Sequence, residues 1–488
     1  MNPTLTAEKI ATGLYIGGEA RDTADRIEVR DPADPSTVVG TAAAGSEQDA
    51  RDAVAAAKAA YRSWSRLTPQ QRAERIGEAA AAMVPDRDEY ARILTLENGK
   101  ILHESWVDFL VFEIRTGLAL SVADEVDEEI VLPGPPVTTS VKHQSLGVVT
   151  IIVPFNWPIA ILGASLPYAL LAGNTVILKP PPSTPLAMTR ALTAMAEKLP
   201  AGVLNIVTGR DADMLPLIQN DDVAKVSFTG SVAGGKKIAA LASASLTRVT
   251  LELGGNDAAL ILDDAVLDDA ALDRLFGAIF DTTGQICMNA KRVYVHRSRY
   301  DEVVAGLSER LEKTVLGHGL AEGTTMGPLH QARQKEYVAE LIAEAKAAGA
   351  EVREFGELPA DHPEGNFLRP ALVLDPDPAL RVVTEEQFGP VIPILPFDDD
   401  AEAVRAAEDT WAGLCASVWS ADLDRAGRIA KKLTVGTVFV NDHGATRLDL
   451  RAPFGGMKGS GSGREQGIEG VRDFMDTRSI GTLHVKEI

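Results

Sequence analysis

The sequence predicts an α/β protein built on parallel, doubly wound sheets, and three observations carry that expectation. Short apolar runs read as strands: "GVVTIIV", "NTVILKP", "VLNIVTG", "KVSFTG" and "TRVTLELGG". Their apolar residues are consecutive, as in strands covered on both faces. Helical stretches separate several of them, the alternation that builds parallel sheets. The order then recurs: "RVYVHRSRYDEVVAGLSERLEKTV" reads as strand and helix, "PVIPILPF" as a strand, and "DRAGRIAKKLTVGTVFVND" as helix and strand. Two α/β halves meeting near residue 255 create a cleft at their junction.

Each element follows from local chemistry. "DPADPSTVVG" predicts a turn and a short strand. "SEQDARDAVAAAKAAYRSW" predicts a helix with Ser46 as N-cap, acidic residues in its first turns, and Val54, Ala57, Tyr61 and Trp64 on one face. Helical sequence continues to about Ala123. "EEIVLPGPPVTTSVKHQSLG" is β-branched and interrupted by proline, which suits a projecting strand pair. Leu146 to Leu178 contains no charged residue and is long enough to raise a membrane helix. Pro154, Pro158 and Pro167 interrupt it, and Asn156 and Asn174 are polar. It divides instead into the strand "GVVTIIV", the turn "PFNWP", the helix "IAILGASLPYALLAG" and the strand "NTVILKP".

A chain of 488 residues with 45% apolar and 24% charged composition is ordinary for a folded protein of two or three domains. A net charge of −21 argues against nucleic acid or an anionic membrane as partner. Two cysteines make no disulfide framework, and without a CxxC pair or an HExxH helix no metal site is expected. The N-terminus has no basic start followed by an apolar run, so a cytoplasmic protein is expected.

Three places carry candidate chemistry. In "VSFTGSVAGGKKIAALA", Gly230, Ser231 and Gly235 form a strand-to-helix turn that either binds phosphate at a helix N-terminus or is simply a turn. In "TLELGGND", Glu252 closes a buried strand; it is either a salt-bridged structural residue or a base with a raised pKa. In "TGQICMN", Cys287 is either an idle thiol or a nucleophile whose pKa the nearby cations Lys291 and Arg292 adjust. Cys415, in "GLCASVW", reads as buried and inert.

"VPFNWP", "LKP", "FTGS", "LELGG", "GQICMNAKRV", "EEQFGPV" and "PFGGMKGSGSGREQG" resemble, in order from Val153 to Gly467, the motifs of the aldehyde dehydrogenase superfamily, in its NAD(P)-dependent, non-acylating form. The resemblance implies a Rossmann-like cofactor-binding domain over residues 1–126 and 146–253 and an α/β catalytic domain over 254–469. It implies a small β arm, 127–145 with 470–488, that joins subunits into a homodimer or homotetramer.

Residue by residue, the resemblance makes Cys287 the nucleophile, Asn156 (with the Cys287 N–H) the oxyanion donor, and Glu252 the base that activates water. Members that transfer the acyl group to coenzyme A typically lack that glutamate. Phe155 and Trp157 are expected along the cofactor path and Gly230, Ser231 and Gly235 at the pyrophosphate, with Leu253 beside them. Glu386 and Phe388 are expected at the nicotinamide ribose, and Lys179 at the adenosine ribose. Pro182 stands where many NAD-preferring members carry a glutamate for the ribose 2′-hydroxyl, so NAD is expected with NADP possible. Asn256 departs from the common "LGGK" without an account. The stretch from Trp106 to Gly117, the neighbourhoods of Ile286 and Met288, and "VNDHGATRLDLRAPF", with His443 and Arg447 as polar candidates, are expected to line the aldehyde's path. The alternatives are a catalytically silent relative, told by an inert Cys287, and an acylating enzyme or thioesterase using the same cysteine, told by coenzyme A dependence or by ester turnover without oxidation.

Overall fold

The structure, a computed structural model, describes residues 10–484. Residues 1–9, the start of the N-terminal stretch read for a signal, and the last four residues of the tail lie outside the described residues. The first large sheet has eight strands in the spatial order Gly461–Ser462, Arg248–Glu252, Val223–Thr229, Val148–Ile152, Thr175–Lys179, Leu204–Ile206, Leu14–Ile16 and Glu19–Arg21. The strands from Arg248–Glu252 to Leu204–Ile206 run parallel, and those at both edges antiparallel. The second sheet has seven: Glu351–Glu354, Ala371–Leu374, Val391–Phe397, Ala290–His296, Asp257–Ile261, Cys415–Trp419 and Thr437–Val440. Only Glu351–Glu354 is antiparallel to its neighbour.

The apolar runs became strands because helices cover both sheet faces: every residue of Val148–Ile152, Thr175–Lys179, Asp257–Ile261 and Cys415–Trp419 is buried. The helix Glu47–Trp64 begins at Ser46 in a reciprocal capping box with Asp49, which satisfies two N–H groups of its first turn. Pro69–Ala81, Arg87–Asn98 and Leu102–Ser121 complete the helical region.

Three details differ from the sequence reading. The expected single helix after "PFNWP" is two, Pro158–Leu162 and Leu166–Leu171. Each has proline in its first turn, where a missing N–H costs nothing, and Pro167 cannot continue the preceding ladder. The strand after the "DPAD" turn is long, Asp34–Ala43, because Ile10–Thr12 and Arg26–Asp31 flank it on either side. Finally, Gly461–Ser462, read with the second half, pairs with Leu251 and Glu252 at the edge of the first sheet. A Cβ on Gly461, at φ +134°, would lie 1.9 Å from the Leu251 carbonyl, so the approach requires glycine. The following Val471 and Phe474 also belong to the first half's core.

Ile130–Leu132, Val137–Ser145 and Met475–Leu483 form a separate antiparallel three-stranded sheet, the projecting pair expected plus the C-terminal strand. Among the described residues no helix is long and apolar enough to cross a membrane.

Candidate active site

The chain passes from the first sheet to the second through Gly254 and Gly255, and the cleft opens there. Loops at the C-terminal ends of three first-sheet strands (Val148–Ile152, Val223–Thr229, Arg248–Glu252) face segments that precede the second-sheet strands Ala290–His296 and Val391–Phe397. One cavity of about 270 Å³ brings together Phe155, Asn156, Gly230, Ser231, Glu252, Leu253, Cys287, Glu386 and Phe388.

Cys287 sits on a loop that the backbone holds under strain. Thr282 and Thr283 both take left-handed conformations, φ +56° and +58°, which a β-branched residue adopts only when its surroundings impose it. The Thr282 N–H donates to Glu104 Oε1 at 2.6 Å, the Trp157 indole donates to Thr282 Oγ1 at 2.9 Å, and Thr283 Oγ1 donates to Gly327 O at 3.0 Å. Gln285 is fixed at both ends of its amide, by the His330 N–H and by Thr282 O. The result is a half-buried thiol presented to the cavity, whereas Cys415 is 1% exposed inside its strand. Burial, and then the carboxylates Glu386, Asp257 and Glu252, push the Cys287 thiol up to about 12.

Asn156 is buried, its Nδ2 donating to Gln285 O at 2.8 Å, which leaves the second amide hydrogen for a ligand. Its position depends on an ion pair the sequence reading missed. Lys100 Nζ, on the segment before the helix Leu102–Ser121, bonds Asp108 Oδ2 at 2.6 Å and Asn156 O at 2.8 Å, and lies 4.5 Å from the Trp157 ring centroid. Both charged side chains are fully buried. Asp108 also accepts from the Ala160 N–H, so the pair clamps the turn on both sides of Asn156. A polar "K" and "D" eight residues apart across a helix start was the available signal.

Glu252 is buried at the end of its strand, and neither carboxylate oxygen has a hydrogen-bond partner. Burial, reinforced by the neighbouring carboxylate Glu465, raises its pKa well above the usual range. Glu465, from "SGREQG", is itself buried and raised to about 7, with Arg115 and Lys225 opposing the shift. The motif was visible in the sequence; that its glutamate would stand beside Glu252 was not, because the two lie on different halves of the chain.

The cofactor candidates divide. Gly230, Ser231, Leu253, Phe155, Glu386 and Phe388 line the cavity. Ser231 caps the helix Val232–Ala242, its Oγ accepting from the Gly234 N–H at 3.1 Å. Phe155 stacks on His330 with centroids 4.3 Å apart and meets the Phe388 edge at 6.1 Å. Glu386 Oε1 accepts from the Gly255 N–H at 3.3 Å, and burial lifts its carboxyl to about 7. These residues fit a nicotinamide dinucleotide: a capped helix N-terminus at the cavity for pyrophosphate, and the unpartnered Glu252 oxygens. Gly235 does not face the cavity; it packs inside the helix, where a Cβ would be 2.5 Å from Leu253 Cδ2, so its need for glycine is helix–strand packing. Lys179 and Pro182 stand outside this cavity, at and after the end of Thr175–Lys179, where Lys179 bonds Asp211.

Trp157 is corrected. Its ring faces a second cavity, of about 670 Å³, that also takes Glu104, Val107, Ile286 and Ala445. The indole's bond to Thr282 swings it away from Phe155, although the two are separated by one residue. Trp157, Ile286 and Met288 form one apolar cluster, with Val107, Val111, Cys287 and Leu448 packed against it; Trp157 and Ile286 line the larger cavity and Cys287 the smaller. Trp106, expected there, instead donates to Asp88 beneath the Arg87 guanidinium. His443 is 2% exposed; its ring bonds Ser417 Oγ and Met288 O, and burial lowers it to about 4, so it is a neutral brace behind Met288. Arg447 lies 3.7 Å from Asp442. Asn256 gains an account: its Nδ2 ties the sheet crossing to Val383 O at 3.0 Å.

The profile of the aldehyde dehydrogenase family matches residues 19–480, and the chain belongs to that family. It carries out NAD(P)-dependent aldehyde oxidation. It is 36% identical to a betaine aldehyde dehydrogenase of Sinorhizobium fredii over 88% of each chain. It is 35% identical to a phenylacetaldehyde dehydrogenase of Pseudomonas fluorescens, over 98% of this chain and 97% of that one. The crystal structure of betaine aldehyde dehydrogenase from Staphylococcus aureus in complex with NAD+ superposes with a TM-score of 0.92 at 31% identity, covering 98% of this chain and 96% of that chain.

Proposed function

We propose that Cys287 attacks the aldehyde carbonyl, that Asn156 stabilises the resulting oxyanion, and that Glu252 activates the water that releases the acid. The observation that carries this reading is the convergence of the three on one cavity, with both Glu252 oxygens unpartnered. The aldehyde enters through the larger cavity lined by Trp157 and Ile286, opposite the glycine turn. Cys287 Sγ adds to the carbonyl carbon, and its proton leaves toward a neighbouring carboxylate. The oxyanion of the thiohemiacetal takes the free Asn156 Nδ2–H and the Cys287 N–H. One such donor lowers the barrier by about 3–4 kcal/mol. When bound, the nicotinamide accepts the hydride from that carbon. Glu252 then takes a proton from water, which attacks the Cys287 thioester and frees the carboxylic acid. Burial raises its pKa, which makes the ionised carboxylate a stronger proton acceptor. The relatives' named substrates, a quaternary ammonium aldehyde and an aromatic one, bracket the aldehydes to assay first.

The arm supports a homodimer or homotetramer. Ile130, Leu132 and Leu483 are more than half exposed on one of its faces, and Val131 and Ile480 are exposed on the other, which a free monomer seldom tolerates in one patch. The two free thiols fit a reducing compartment such as the cytoplasm.

The test follows absorbance of the reduced nicotinamide with each cofactor across an aldehyde panel, with and without coenzyme A. Acid formation without coenzyme A, lost in Cys287→Ala, is the expected result. Strict dependence on coenzyme A would favour the acylating reading. An unreactive Cys287 in protein that binds cofactor would favour a silent relative.

A further inference from the structure

Beyond the cavity, on the same C-terminal edge of the first sheet and where the resemblance puts the adenosine ribose, stands a carboxylate from an unexpected segment. Pro182 has no group for a ribose hydroxyl, and its own loop, "KPPPSTP", contains no acid. Lys179 ends its strand with its side chain 6% exposed, and its Nζ bonds Asp211 Oδ1 at 2.8 Å. Asp211 is on the turn that follows Leu204–Ile206, the parallel neighbour of the lysine's strand. At 78% exposure its side chain stands at the rim, and no hydrogen bond occupies its second oxygen among the described residues. The adjacent Arg210 is turned away onto Asp25. Lys237, on the helix that Ser231 caps, also acts on Asp211: burial would raise the carboxyl, but Lys179 and Lys237 outweigh it and hold it below its ordinary value.

We propose that Asp211, held by Lys179, makes this chain select NAD over NADP. Resting on the reading of the cleft as a dinucleotide site, this assigns to the second strand's turn the task that Pro182 cannot perform. The free Asp211 oxygen accepts a hydrogen bond from a ribose hydroxyl while Lys179 donates to its neighbour, the pairing that suits a vicinal diol. Acidic residues read the NAD ribose in dinucleotide folds generally. A 2′-phosphate in the same place would bring its charge against the Asp211 carboxylate. Without that carboxylate, Lys179 and Lys237 would be two uncompensated cations at the ribose, a setting that favours phosphate. The selectivity of the site thus turns on one acid that neutralises two lysines.

The test is cofactor binding, read by quenching of protein tryptophan fluorescence and by calorimetry at fixed ionic strength, on wild type, Asp211→Asn and Asp211→Glu. Wild type is expected to bind NAD+ at least about tenfold more tightly than NADP+. Asp211→Asn is expected to tighten NADP+ about tenfold and weaken NAD+ about threefold, with an NADP+ affinity that falls as salt is added. Asp211→Glu is expected to retain the wild-type preference. Equal affinity of wild type for the two cofactors, or an unchanged ratio in Asp211→Asn, would overturn the proposal. Because binding is read without turnover, discrimination in a protein that oxidises no aldehyde would count against the proposed chemistry and leave this assignment standing. Failure to bind either cofactor would overturn both.

Discussion

The two cysteines are the same residue in two settings, and the difference separates burial from function. Cys415 opens an interior strand of the second sheet, pairs with Thr437 and is 1% exposed. Cys287 lies four residues after a pair of left-handed threonines, on a loop that cannot join a strand until Ala290. Both thiols are raised above their ordinary value, burial being the first cause in each case. A lowered resting pKa therefore does not mark the proposed nucleophile here. Access does, together with the groups that meet it: an amide donor at Asn156, a carboxylate at Glu252, and the cavity that all three line.

The comparison breaks most sharply under substitution. Cys287→Ala is expected to leave no turnover above background, and Cys415→Ala to retain activity while losing about 1 kcal/mol of stability by denaturant titration. Comparable losses of activity in both would contradict the distinction. Within the site, Glu252→Gln is expected to slow steady-state turnover by about 10²–10⁴-fold yet permit a single burst of cofactor reduction, since the thioester forms before water is needed. Asn156→Ala is expected to cost about 10²–10³-fold and to reduce the burst itself. A burst preserved in Asn156→Ala would remove the amide from the oxyanion site.

The finer test is alkylation by iodoacetamide. With its thiol at about 12, Cys287 is protonated at neutral pH. Its labelling should therefore rise about tenfold per pH unit through the alkaline range, while Cys415 stays unlabelled in folded protein. Glu386 contributes to that shift and is itself at about 7, so it is charged only above that pH. Glu386→Gln is expected to speed labelling above about pH 7 and to change little below it. The smallest effect concerns the arm: Leu132→Asp with Leu483→Asp, on one face, should shift the sedimentation coefficient toward monomer with each subunit still folded.

Much of this was legible in one dimension. The strand runs, the Ser46 cap, the projecting arm and the motif order all depend on neighbours within a few positions, where periodicity and capping chemistry act. Local pattern left Cys287 and Glu252 as open alternatives, and the resemblance assigned their roles and that of Asn156. Trp157 was assigned to the wrong side because a two-residue separation says nothing about which way a ring turns once Thr282 accepts its N–H. Gly235 looked like a ligand turn because glycine spacing is the same for a phosphate cradle and for close helix–strand packing.

What the sequence alone determined is therefore the class of sheet and the family, and it nominated the candidate reacting atoms. These rest on residue identity and short-range order. Only the tertiary structure decided that Lys100 and Asp108 hold the Asn156 turn, that Glu465 stands beside Glu252, and that Asp211 reaches Lys179. Each of those joins segments brought together by packing, and Coulomb energy and hydrogen bonding depend on distance in space rather than on separation along the chain.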